Sequence, residues 1–196
     1  MEMNHIAGIL EDLERADIYA VSKHGITEDL EGQLESLCTE YRNGSPSGRG
    51  ALTIAINHKK ATNRAQWFLL SFSSHMATRA MQRKDRVALS SGIIALHLSN
   101  VANIDYRDSW GTIARLAYAA QQCGLELAEY TTAVCPDVSP KLMEWIRQPG
   151  PVNVGPDVDG NPAFKRTAEA EARRARWNEF IKAHREKRES SKNRSS

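Results

Sequence analysis

Cysteine is scarce in this chain: Cys38, Cys123 and Cys135 are the three in 196 residues. An odd number cannot close into pairs, and a chain of this length needs no disulfide framework, so a reducing, cytosolic compartment is expected. Their spacings contain no C-x-x-C, and no H-E-x-x-H occurs, so no metal is expected. His75 and Arg79 share a helical face, but a lone histidine there reads as packing or solvent contact. No apolar run approaches the roughly 20 residues that span a bilayer. The opening residues Met1 to His5 lack the basic and apolar regions of a secretion signal. β-branched residues are few and scattered, which leaves helix as the default.

Nucleotide and catalytic motifs are also missing. Gly44, Gly48 and Gly50 have some of the spacing of a phosphate cradle. However, Ala51 and Leu52 stand where a P-loop carries its lysine and hydroxyl, so residues 43–50 read as a flexible connection. No cofactor is called for. Asp105, Arg107 and Asp108, with His97, could form a diffuse acid–base site, although aspartate near a helix start is wanted as a cap. Cys123 with His97 can be drawn as nucleophile and base. Nothing in the sequence brings them together, and a helix C-terminus disfavours the thiolate.

What the chain does have is helical periodicity. Ile6, Ile9, Leu10, Leu13, Ala16 and Ala20 mark a helix over about 2–22. Thr27 caps a second helix carrying Leu30, Leu34, Leu37, Cys38 and Tyr41, and the two are expected to form an antiparallel hairpin with acidic outer faces. Residues 52–56 lean to helix. The pattern then continues through 62–83 (Phe68, Leu69, Phe72), 86–99 (Val87, Leu89, Ile93, Ile94), a helix begun by Asp105 or Asp108 and a short one with Leu127, Tyr130 and Val134. Cys123-Gly124-Leu125 has the form of a Schellman end. Ser139-Pro140 opens a last turn or two through Leu142, Met143, Trp145 and Ile146.

The expected fold class is therefore all-α: an irregular bundle of six or seven helices over 1–147, with a helical-repeat arrangement still open. Four of the seven prolines fall within 148–162, a linker or strap. A basic amphipathic helix is expected over 163–188 and a disordered tail over 189–196.

Charge sits in blocks of alternating sign, hidden by a net charge of +2. Residues 1–41 hold ten acids against Arg15 and Lys23, whereas 42–100 hold nine Lys/Arg against Asp85 alone. Residues 101–164 are again acidic, and 165–196 carry eleven basic against five acidic residues. Such segregation bears on partners and not on the fold. In the middle block, Lys59, Lys60 and Arg64 could neutralise phosphates if they share a face. The acidic first hairpin could equally compensate that block.

The last block is the sharper signal. Phe164, Ala168, Ala172 and Ala175 form one stripe of the expected C-terminal helix. Trp177, Phe180, Ile181 and His184 form a second on the opposite side, at the spacing of a helix that docks in a groove. Arg173 and Arg174 flank it. The sequence thus points to a non-enzymatic interaction protein (an adaptor, inhibitor or assembly subunit) that meets a protein partner or a second copy of itself. A nucleic-acid-binding accessory protein is the alternative.

Overall fold

The computed structural model describes residues 3–17, 20–21, 24–58, 62–99, 106–147, 152–156 and 162–165. Among them are eight helices and one pair of strands. In chain order the helices are α1 (Met3–Arg15), α2 (Glu28–Asn43), α3 (Pro46–His58), α4 (Thr62–Arg83), α5 (Arg86–Leu98), α6 (Tyr106–Gln122), α7 (Leu127–Val134) and α8 (Pro140–Arg147). The chain divides into two compact units, Met1–Gly150 and Pro151–Ser196.

The first unit is all-α in its described residues, with eight helices rather than six or seven. Residues 46–50 are not loop but the start of α3. Ser45 Oγ accepts from the Gly48 N–H at 3.2 Å, and Pro46 follows as the first helical residue. This is the cap-then-proline signal also seen at Ser139-Pro140, where Ser139 Oγ accepts from Leu142 N–H at 3.2 Å. Three neighbouring glycines mask it in the sequence. The lean to helix at 52–56 holds.

The first helix ends at Arg15, not near 22. Asp17 turns its carboxylate onto the Ala20 N–H at 3.3 Å and so starts a new turn, which leaves Ala20 exposed. Ile6, Ile9, Leu10 and Leu13 are buried as expected. Gln33 of α2 reaches Asp12 near the end of α1 at 3.4 Å, as an antiparallel hairpin requires.

The most buried helix is α5, in which Ala88 to Leu96 are all buried together with Leu98. Asp85 caps it, accepting from Val87 and Ala88 N–H at 2.8 and 3.1 Å. Val87, expected in the core, is 64% exposed because it falls on the outer side of this first turn. Gly92 lets the neighbours close in. A β-carbon there would lie 3.0 Å from Leu116 Cδ2 of α6 and 3.3 Å from both Met76 Cβ and Ser73 O of α4. Ser73 Oγ donates to the Gly92 carbonyl at 2.6 Å. The longer α4 packs on α1, α2, α3, α5 and α6. A helical repeat, in which each unit touches only its neighbours, would not give that pattern. The unit is an irregular bundle.

The Schellman end forms as read. Gly124 is left-handed at φ +69, Leu125 N–H reaches Ala120 O at 2.9 Å and Gly124 N–H reaches Gln121 O at 3.0 Å. At the end of α4 the left-handed place is taken by Lys84, at φ +53, and Asp85 N–H bonds Ala80 O at 3.1 Å.

In the second unit, β1 (Val152–Pro156) pairs antiparallel with β2 (Pro162–Lys165). Asn153 faces Phe164 and Pro156 faces Pro162, with the register shifting between Asn153 and Gly155. Residues 148–162 are thus not purely a linker, and a helix does not begin at Ala163, because Ala163, Phe164 and Lys165 are strand. Residues 166–196, including the rest of the expected helix and the tail, lie outside the described residues.

Candidate functional site

Among the described residues, a group of reactive side chains gathers where the end of α2, the start of α3, the end of α5 and the turn after α7 converge. That turn exists because Pro136 and Asp137 follow Cys135: Val138 N–H bonds Cys135 O at 3.0 Å, with proline at the second position. Tyr41, fully buried on α2, donates its hydroxyl to Asp137 Oδ1, a residue 96 positions away. Arg49 of α3 holds the same carboxylate oxygen at 3.8 Å and lies over the Tyr41 ring at 5.8 Å. Its Nη1 donates to the Gly44 carbonyl at 2.9 Å, tying down the end of α2. His97, in the last turn of α5, packs its ring 5.2 Å from that of Tyr41. His97 Nε2 is buried without a hydrogen-bond partner.

Burial sets the chemistry of this clasp. It pushes the Tyr41 phenol up, an effect reinforced by Cys135 and Asp137. It pushes the Cys135 thiol up to about 12, against the opposing pull of Tyr41 and Arg49. It lowers His97, which Asp137 partly counters. Near neutral pH the clasp therefore holds a neutral phenol, a protonated thiol and a neutral imidazole around one ion pair. A thiol pushed so high is a poor nucleophile. Cys38, whose Sγ contacts Ser91 O at 3.5 Å, is pushed up by burial as well.

A second polar seam joins the acidic and basic blocks. Glu31 of α2 receives Arg79 at 2.8 Å and His75 at 3.3 Å, both from α4. Arg79 also lies 3.9 Å from Asp85. Arg42 donates to Ser91 Oγ at 2.7 Å, Ser91 donates to Glu35 at 2.7 Å, and Arg42 stands 3.6 Å from Glu35. Arg86 donates to the Cys123 carbonyl at 3.2 Å. The shared face of His75 and Arg79 is therefore used for polar contact with Glu31 of α2.

The residues singled out from sequence are placed as follows. Lys59 and Lys60 lie outside the described residues. Arg64 is in the first turn of α4 and Arg107 and Asp108 in that of α6, with none of their side chains described. Asp105, Arg173, Arg174, Trp177, Phe180, Ile181 and His184 lie outside the described residues. Cys123 and His97 are not brought together. Arg86 at the start of α5 touches Cys123, and His97 is eleven residues, or about 16 Å, further along that helix. Its companions are Tyr41, Asp137 and Arg49. Among the described residues, no group of three or more His, Cys, Asp or Glu is placed to hold a metal ion. No helix of the described residues is long and apolar enough to cross a membrane.

Sequence reasoning passed over Tyr41 as a core residue, Arg49 as a loop charge, and Asp137 altogether. The available signal was Cys135-Pro136-Asp137, a turn sequence between two short helices. The partner of that aspartate comes from the other end of the unit, and local pattern carries no information about it. No family model, no curated protein and no solved structure matches this chain.

Proposed function

We propose that this is a non-enzymatic helical interaction protein, an adaptor, inhibitor or assembly subunit. Its first unit serves as the scaffold, and its basic C-terminal segment meets a partner protein or a second copy. One observation carries this reading: the chain divides at Gly150, and an apolar core running from Ile6 to Ile146 lies before that division. The stripe expected from the spacing of Trp177, Phe180, Ile181 and His184 follows that division in the sequence, and each large anchor would contribute about 1.5–3 kcal/mol once fully buried. The protonated Cys135 thiol of the clasp gives an enzymatic reading little to build on.

The nucleic-acid alternative draws less support. Arg42, Arg49, Arg79 and Arg86 of the basic block are each engaged with partners inside the first unit. Fewer free cations mean fewer phosphate contacts and a shallow salt dependence.

A photo-reactive amino acid at position 177 of the full chain tests the proposal. Capture of one defined protein, or of a second copy, is expected, with loss when Phe180 and Ile181 become alanine. Monomeric protein that captures nothing, or steeply salt-dependent retention on a polyanion column that is abolished by reversing Lys59, Lys60 and Arg64, would overturn it.

A further inference from the structure

We propose that His97 is an acid-sensitive latch on the Cys135–Val138 turn. While its ring is neutral, Tyr41 and Arg49 hold the turn down through Asp137. When the ring takes a proton the turn lifts and uncovers Cys135.

The geometry supplies both states. Tyr41 of α2 faces the histidine ring and Asp137 of the turn acts on it electrostatically, while Arg49 of α3 lies over the Tyr41 ring and Cys135 interacts with that phenol. The histidine's own helix adds a C-terminal dipole. Asp137 and the dipole favour an imidazolium, while Arg49, sharing the Tyr41 ring, opposes it. Burial opposes it more strongly, because the Nε2–H of a charged ring would sit inside the protein without an acceptor. The acceptor that can relieve this is Asp137, already shared by the Tyr41 hydroxyl and Arg49. Protonation therefore sets His97 in competition with both for one carboxylate, which loosens the hold of Tyr41 and Arg49 on the turn and lets it lift. Tyr41 and Cys135 take no part in the titration, since burial keeps both neutral in acid.

The sign follows from His97 being held below its ordinary value of about 6.5. The closed clasp binds fewer protons than the open one, so it loses stability as pH falls through that value toward the lower one of the closed state. Cys135 reports the opening: it is fully buried when the clasp is closed and lies two residues from Asp137. Cys38 is fully buried under Ser91 and serves as an internal control.

The experiment labels the intact full-length chain with 4,4′-dithiodipyridine, which reacts in acid, and maps each cysteine by mass spectrometry between pH 7.5 and 5. Cys135 labelling is expected to accelerate about ten-fold on acidification while Cys38 stays protected. His97→Gln should flatten the response, and Asp137→Asn should leave Cys135 labelled at both pH values. The His97 ring resonance in the unmodified protein should titrate with the labelling midpoint, a check that does not depend on any variant folding. The proposal fails if Cys135 stays protected at pH 5, or if Cys38 reacts at the same rate. It also fails if the acid response survives in His97→Gln or if the ring titrates elsewhere.

Discussion

Glu31 and Arg79 meet at 2.8 Å, joining the acidic first hairpin to the basic block that follows it. With His75 on the same carboxylate and Arg79 reaching on to Asp85, two segments of opposite charge in the sequence become one seam in the fold. Arg79 is 39% exposed, so solvent screens the contact. Glu31→Gln is therefore expected to cost only about 0.5–1 kcal/mol in urea unfolding at low salt. The loss should fade in 1 M salt, where exposed charges are screened within a few ångströms.

Gly92 sits where α4 and α6 close in on α5, and Gly92→Ala should be costly for so small a change. The added methyl meets the Ser73 carbonyl, which cannot swing away as the end of a side chain can. A destabilisation of about 1–3 kcal/mol, read as a lower urea midpoint at unchanged slope, is the expected result.

Lys84 offers the opposite opportunity. It holds a left-handed conformation at φ +53, next to the α5 cap, where α4 would ordinarily end on glycine. Lys84→Gly should stabilise the protein by about 0.5–1 kcal/mol, visible as a rise in Tm. Gly124→Ala, at φ +69, should shift Tm the other way by a similar amount.

Cys135 should resist alkylation. With its thiol pushed up to about 12 and its side chain buried, iodoacetamide at pH 8 is expected to leave it unmodified in the folded protein. It should react fully in denaturant. Quantitative modification of the native chain would show that the clasp does not close.

The helices were legible because periodicity and caps are local. Leu30, Leu34, Leu37, Cys38 and Tyr41 are buried in the stripe their spacing drew, and Thr27 caps as read. Ser139-Pro140 and the Gly124 end also form as written. The failures have local causes too: Ser45-Pro46 was hidden among glycines, and Asp17 cut a helix that apolar spacing would have extended. The clasp is a different case. Tyr41, Arg49, His97 and Asp137 come from four separate stretches of chain, and each alone has an ordinary explanation as core, loop or cap. Only the packing of α2, α3 and α5 makes them neighbours.

The Tyr41–Asp137 hydrogen bond also bears on the order in which the protein folds. Closing a loop of 96 residues for one contact gives up chain entropy that must be offset elsewhere first. The α4–α5 pair, joined by two residues and held by Asp85, faces no such obstacle. The clasp therefore belongs late on the folding path, after the helical hairpins have docked. Loosening it should hasten unfolding and leave the folding rate nearly unchanged. In kinetic terms the turn after α7 is the last piece to close and the first to open.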